Sequence, residues 1–210
     1  MKRTLDIDTW NRKDHFHFFR KFEEPFFGVC VSLDCTIAYR TVKAAGVSFF
    51  LYYLHKSLAA ANSVEPFRYR MEEDRVIVYD VVHASPTIER QDGTFGFAYM
   101  NYHEDFGLFS KSAQEEIAQV QGSTGLIPAV SGENVIHFSS VPFLHFTSLS
   151  HARAFSFRDS IPKISFGMMT QDHRGKQIFP VSIHAHHALM DGYHIGQFVS
   201  AFQDLLNGGR

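Results

Sequence analysis

The chain has 210 residues, of which 45% are hydrophobic and 20% are charged, and these values are typical of a globular protein rather than a disordered or fibrous one. The length fits one domain, and because no linker or internal repeat interrupts the sequence, we assign residues 1–210 to a single domain. The formal net charge of -2 gives no electrostatic basis for binding nucleic acid or an anionic membrane.

Strand-like and helix-like patterns alternate along the chain, which is typical of a mixed α/β fold. Alternating apolar side chains predict strands at residues 26–33, 75–79, 94–99, 135–138, 144–148, 163–168 and 178–186. Apolar spacings of three and four predict helices from residue 36 and over residues 48–62. Ser112 with Glu115 predicts a capping box for a helix that ends near Gln121.

The clearest helix is the last one, where an apolar stripe runs from Ile195 to Leu206. Gly208 and Gly209 follow the stripe and are expected to end the helix. Asp191 lies just ahead of it, at the position where a helix N-cap is expected.

The two cysteines, Cys30 and Cys35, lie in and just after one predicted strand. Their side chains would point to opposite faces of a straight strand, so we expect no disulfide between them and treat both as small buried hydrophobic side chains. The N-terminal residues lack the apolar segment of a signal peptide, and the most apolar stretch, residues 44–54, is too short to cross a bilayer of about 30 Å. We therefore expect a reduced, cytoplasmic protein without a membrane partner.

Histidines concentrate just before the last helix, since four of the 13 lie between residues 184 and 194. Three interpretations are open. In the first, the histidines are satisfied structural side chains and Asp191 only caps the helix. In the second, His184 and His186 share one face of a strand and bind a metal ion, although no third ligand lies at a familiar spacing and we assign no metal. In the third, a neutral histidine is a general base that accepts a proton from an attacking group.

A motif in this segment favours the third interpretation. Residues 186–192 read His-His-Ala-Leu-Met-Asp-Gly, which resembles the His-His-x-x-x-Asp-Gly signature of the chloramphenicol acetyltransferase family and, more distantly, that of dihydrolipoyl acyltransferase cores. Residues 10–16, Trp-Asn-Arg-Lys-Asp-His-Phe, resemble the N-terminal Trp-x-Arg-Lys-Glu-His-Phe segment of the same family. Further similar segments make the resemblance collinear from about residue 10 to residue 206.

The resemblance implies a fold, a reaction and an assembly. The fold is a CoA-dependent acyltransferase-like α/β sandwich of two layers, in which helices flank a mostly mixed β-sheet. The reaction is direct transfer of the acetyl group from acetyl-CoA, the co-substrate, to a hydroxyl of chloramphenicol, which inactivates the antibiotic. Family members are homotrimers with active sites at the subunit boundaries, and the 22 phenylalanines of this chain suit such interfaces and pockets.

The resemblance also assigns roles to individual residues. His187, the second histidine of the motif, is the general base that takes the proton from the acceptor hydroxyl. Ser139 is the hydroxyl donor to the oxyanion of the tetrahedral intermediate. Asp191 is a structural acid that pairs with Arg12 and thereby holds the catalytic turn.

The acceptor pocket is implied to lie between neighbouring chains. The resemblance places four side chains beside the acceptor: Phe19, Phe27, Phe95 and Ser165. Phe19 stands where several relatives have Tyr, Phe143 where the family usually has Trp, and Met168 where Lys is common. Two alternatives to chloramphenicol acetylation stay open: an acyltransferase for a different small alcohol, amine or thiol, and a non-catalytic trimer that binds a ligand.

Overall fold

Strands and helices alternate in the computed structural model, which describes residues 1–126, 132–156 and 158–209. The strands are β1 (Lys2–Thr4), β2 (Phe26–Asp34), β3 (Tyr69–Glu72), β4 (Arg75–Tyr79), β5 (His83–Glu89), β6 (Phe95–Phe97), β7 (Val135–Val141), β8 (Lys163–Gly167), β9 (Thr170–Gln171) and β10 (Gln177–His186). The helices are α1 (Lys13–Phe19), α2 (Thr36–Ala45), α3 (Phe49–Ser63), α4 (Phe106–Gln121) and α5 (Gly192–Leu206), and a 3-10 helix covers Glu65–Arg68.

Most of the strands form one mixed sheet with the order β2-β10-β8-β7-β5-β6, and β9 pairs with the first residues of β10. The pairs β7–β8 and β5–β7 are parallel, whereas the other neighbours in this sheet are antiparallel. Strands β1, β4 and β3 form a separate antiparallel sheet. The mixed α/β fold expected from the sequence is therefore confirmed.

The two faces of the main sheet differ in chemistry because side chains alternate along each strand. On β10, Val181 and Ile183 point to one face and are buried in a core that they share with α3 and α5. Ser182 and His184, at the alternate positions, point to the opposite face. Helices and sheet thus form the two layers expected from the sequence.

The predicted capping box at Ser112 is wrong. Helix α4 begins at Phe106 instead, because the carboxylate of Asp105 accepts a hydrogen bond from the backbone N–H of Leu108 at 2.8 Å and caps the helix there. Ser112 lies inside the helix, where its hydroxyl donates to the carbonyl of Phe109 at 3.0 Å.

The predicted strand at residues 144–148 is also wrong. Strand β8 is paired on one edge with β7 and on the other with β10, so the segment between β7 and β8 finds no free edge there. The strand predicted at residues 94–99 is shortened to β6. The short elements β1, β3, β9 and α1, and the polar strand β5, were not predicted because none of them carries a long periodic pattern.

Both cysteines are free thiols. Cys35 is buried as expected, and burial raises the pKa of its thiol to about 12. Cys30 is only half-buried because β2 is an edge strand of the main sheet, so the expectation of full burial holds for Cys35 alone. Within the described ranges, no helix combines the length and the apolarity needed to cross a bilayer.

Burial in the core predicts that two helical leucines contribute very differently to the free energy of unfolding. Leu54 of α3 is fully buried, whereas Leu108 of α4 is 60% exposed. We expect Leu54→Ala to lower the free energy of unfolding by about 2–5 kcal/mol, because it removes buried methyl groups and leaves a cavity. Leu108→Ala should change it by about 0.5 kcal/mol or less. Urea denaturation of both variants tests this, and equal losses would contradict the assignment of Leu54 to the core.

Candidate active site

The histidine motif forms the turn between β10 and α5. The backbone N–H of His187 donates to the Pro25 carbonyl at 2.8 Å, which ties the turn to the residue just before β2. Asp191 caps α5, since its carboxylate accepts from the Tyr193 N–H at 3.0 Å while the His194 ring accepts from the Asp191 N–H at 3.1 Å. The capping role considered for Asp191 is therefore present in the structure.

A buried arginine holds this turn from a distant part of the chain. Arg12, only 7% exposed, forms an ion pair with Asp191 and donates a second hydrogen bond to the His187 carbonyl at 3.1 Å. Burial of the Asp191 carboxyl opposes its ionisation, but the Arg12 guanidinium, the His194 ring and the Tyr193 N–H together outweigh this effect and keep the pKa of Asp191 below its usual value. One side chain thus fixes both the cap of α5 and the backbone of His187.

The His187 ring lies between two aromatic side chains. It stacks on Phe19 with the ring centroids 4.0 Å apart and an angle of 4°, and it contacts Phe27 at 4.6 Å. The residue is half-buried, so the ring is held but not sealed. Among the described residues its Nδ1 atom is buried without a hydrogen-bond partner, so aromatic packing and the anchored backbone, rather than a bond to that nitrogen, orient the ring.

The other two histidines of the motif strand lie on the face opposite the helices. His186 is buried against Phe26 at 5.4 Å, and burial together with the nearby Arg153 cation lowers its pKa to about 4. His184 shares that face, as expected from the spacing. The described part of the chain contains no group of three or more histidine, cysteine or acidic side chains that could hold a metal ion.

Ser139 lies on the same face as these two histidines. It is opposite Ser165 of β8, which in turn is opposite Ser182 of β10. The neighbouring Ser140 points to the other face, where its hydroxyl lies 2.6 Å from that of Tyr53. Of the two adjacent serines, Ser140 is thus committed to a contact within the chain.

A cavity of about 590 Å³ opens between α3, α4 and the end of β7, and both Ser139 and Ser140 line it. Its walls are mainly aromatic and aliphatic, and they include Phe50, Tyr53, Phe95, Ile117 and Phe143. Phe95 therefore lies with Ser139, and the structure does not bring it to the Phe19 and Phe27 rings that flank His187. Tyr53 lies inside the helix predicted over residues 48–62, and no motif in the sequence indicated its place in this cavity wall.

Within one chain, His187 and Ser139 are far apart. Ser182, which aligns with Ser139 across two strand spacings, is five residues before His187. Strand β10 ends at His186, four residues after Ser182; at about 3.3 Å per residue and about 4.8 Å per strand, the backbone just before His187 lies roughly 13 Å along the sheet and roughly 10 Å across it from that of Ser139. A single chain cannot present both side chains to one reacting atom.

Comparison with known proteins finds one family over nearly the whole chain. The family model described as chloramphenicol acetyltransferase matches residues 2–203. A chloramphenicol acetyltransferase of Proteus mirabilis is 30% identical over 98% of this chain and 94% of its own length, and one of Klebsiella sp is 29% identical over 95% and 91%. A solved chloramphenicol acetyltransferase superposes with a TM-score of 0.89 at 32% identity and covers 98% of this chain and 100% of its own.

More distant structures share the fold. A dihydrolipoamide acetyltransferase of Azotobacter vinelandii has a TM-score of 0.68 at 15% identity, over 92% of this chain and 85% of its own. The fold and the histidine turn define an acyltransferase enzyme. More narrowly, the chain belongs to the chloramphenicol acetyltransferase family.

Because Arg12 is buried, we expect its ion pair to contribute more to the free energy of unfolding than a surface ion pair does. Arg12→Met leaves Asp191 without its cation. Because Asp191 is partly exposed, we expect the free energy of unfolding to fall by about 2 kcal/mol, which is less than the ~3–5 kcal/mol lost when a fully buried pair is broken. The matched variant Arg3→Met, which breaks an exposed pair with Glu65, should cost less than about 1 kcal/mol. Urea denaturation measures both, and an Arg12 variant as stable as the Arg3 variant would refute the anchoring role.

Proposed function

We propose that the protein transfers the acetyl group of acetyl-CoA to a hydroxyl of chloramphenicol, with His187 as the general base. The observation that carries this proposal is the family match over nearly the whole chain, in which the His-His-x-x-x-Asp-Gly turn is complete and anchored by Arg12. As an enzyme of this kind, it would inactivate the antibiotic inside the cell and confer resistance. We further propose that residues 1–210 act as one domain, because α3, α5 and the main sheet share one core.

The environment of His187 suits proton transfer. A neutral imidazole accepts a proton from the acceptor hydroxyl while that oxygen attacks the thioester carbon, and a positioned base contributes about 10²–10⁴-fold to such a step. The stacking on Phe19 and Phe27 fixes the plane of the ring, and the half-buried position leaves it within reach of a ligand. No acyl-enzyme is needed, because the acceptor oxygen is itself the nucleophile.

Ser139 makes the second contribution to catalysis, which is to stabilise the tetrahedral intermediate. Attack on the thioester produces a tetrahedral intermediate whose oxyanion needs a hydrogen-bond donor, and one such donor is worth about 10²–10³ in kcat. In the proposed mechanism the Ser139 hydroxyl donates to that oxygen. When the intermediate collapses, the C–S bond breaks and the proton held by His187 passes to the departing CoA sulfur.

The separation of these two side chains supports a site between subunits. We propose a homotrimer in which His187 of one protomer faces Ser139 of the next. An acceptor in that cleft would meet Phe19 and Phe27 from the first protomer and Ser165 from the second. The aromatic cavity beside Ser139, with Phe95 in its wall, would hold part of acetyl-CoA or of the acceptor. A cytoplasmic location accords with the use of acetyl-CoA and with two free thiols.

Loss of the base predicts a large kinetic effect without loss of folding. We expect His187→Ala to lower kcat at least 10²-fold, because the acceptor hydroxyl then has no positioned base. A thiol-release assay with acetyl-CoA and chloramphenicol measures this. His173→Ala, which changes an exposed histidine in the β9–β10 turn, is the matched control and should keep the wild-type rate. Equal rates for wild type and a folded His187→Ala would remove His187 from its role.

A further inference from the structure

The first histidine of the motif, His186, has no part in the proposed mechanism, yet it accepts hydrogen bonds from the turn that carries His187. Its carbonyl accepts from the backbone N–H of Leu189 at 2.9 Å and from that of Met190 at 3.2 Å. Its ring accepts at the Nδ1 atom from the backbone N–H of Ala188 at 3.2 Å. The turn is therefore folded around His186, directly after the chain leaves β10.

The two peptide groups beside the His187 Cα atom are each held on both sides. In the first, between His186 and His187, the carbonyl accepts from the turn and the N–H donates to the Pro25 carbonyl at 2.8 Å. In the second, the carbonyl accepts from Arg12 at 3.1 Å, and the Ala188 N–H donates to the His186 ring. Because a peptide group is planar, fixing both groups fixes the two backbone dihedral angles of His187 and the direction of its Cα–Cβ bond.

The His186 ring is itself held by packing. It is only 4% exposed, and it meets the Phe26 ring at a steep angle with the centroids 5.4 Å apart. The guanidinium carbon of Arg153 lies 3.9 Å from the Phe26 ring centroid, and the ammonium nitrogen of Lys163 lies 4.6 Å from it. The Glu24 carboxylate pairs with Arg153 and accepts from the Phe26 N–H at 3.0 Å. Contacts from β2, β8 and the segment between β7 and β8 therefore fix the His186 ring.

The protonation state of the His186 ring matches its role as an acceptor. An imidazole nitrogen accepts a hydrogen bond only when it carries no proton. Burial, and after it the nearby Arg153 cation, lowers the pKa of His186 to about 4, and the opposing effect of Asp159 is smaller. The ring is therefore neutral at pH 7, with its proton on Nε2 and with Nδ1 available to the Ala188 N–H.

We infer that His186 is a positioning residue for His187, because its Nδ1 atom holds the Ala188 N–H and so fixes the direction in which the base projects. This inference rests on the proposed function, which makes His187 the base. The Nδ1 atom of His187 has no hydrogen-bond partner among the described residues, so the backbone must supply much of the orientation. A misplacement of about 1 Å can cost about 10²-fold in rate, so a loose turn would be felt in kcat.

Two variants of nearly equal size separate the hydrogen bond from the packing. Asparagine carries a carbonyl oxygen that accepts from the N–H two residues further on, as in an Asx turn, whereas leucine carries no acceptor. We expect His186→Leu to lower kcat about tenfold or more in the thiol-release assay with the full chain. Its KM values for acetyl-CoA and chloramphenicol should stay within about threefold of wild type, because a positioning residue contacts neither substrate. His186→Asn should keep kcat within about threefold of wild type.

Each other outcome of this comparison decides against a claim. A wild-type kcat in folded His186→Leu, or an equal loss in both variants, would overturn the inference and leave the proposed function standing. A higher KM with an unchanged kcat would also overturn it, since His186 would then act in substrate binding. No turnover by the wild-type protein would overturn the proposed function and the inference with it. His173→Leu is the exposed control and should leave kcat unchanged.

A measurement that needs no activity covers the case in which His186→Leu does not fold. Nitrogen NMR of the histidine-labelled wild-type protein reports which ring nitrogen carries the proton at pH 7, and the His186 signals are those that His186→Asn lacks. We expect the tautomer with the proton on Nε2, because Nδ1 accepts from the Ala188 N–H. A proton on Nδ1 would overturn the inference, since that nitrogen could not then accept a hydrogen bond.

Discussion

Side-chain alternation along β10 determines which residues of this enzyme can take part in chemistry. Every second residue of the strand is committed to the helix-covered core, as Val181 and Ile183 show. The residues between them, Ser182 and His184, face the opposite side. His187 comes one residue after the strand ends, so its ring is not committed to either face. Because His187 lies outside the sheet, Phe19 and Phe27 can hold its ring near the surface.

The turn between β10 and α5 is outside the sheet, so contacts from elsewhere in the chain must hold it in place. Arg12 comes from the first segment of the chain, and its guanidinium meets both the Asp191 carboxylate and the His187 carbonyl. The same aspartate caps α5, so helix, turn and N-terminal segment are joined at one ion pair. Because the pair is mostly removed from water, losing either partner would leave a poorly solvated charge. The His187 backbone is therefore positioned by long-range structure, not by its immediate sequence.

Local patterns predicted the long elements well, because the apolar periodicity of β10 and of α5 is visible in consecutive residues of the sequence. The same patterns misplaced the start of α4, since a serine–glutamate pair inside a helix looks like a cap when the better cap at Asp105 is seven residues earlier. The motif and the N-terminal segment indicated Arg12, Asp191 and His187. The alignment of Ser139, Ser165 and Ser182 was not predictable, because these residues lie on three strands and become neighbours only once the register is known.

In the proposed mechanism, one active site takes its base, His187, from one chain and Ser139 from another. The most direct test is to co-express His187→Ala and Ser139→Ala chains and to measure acetyl transfer by the mixed assemblies. Each variant alone should be nearly inactive, whereas random mixed trimers should regain about a quarter of wild-type activity, because that share of sites combines an intact base with an intact serine. Mixed assemblies as inactive as the separate variants would contradict the shared site.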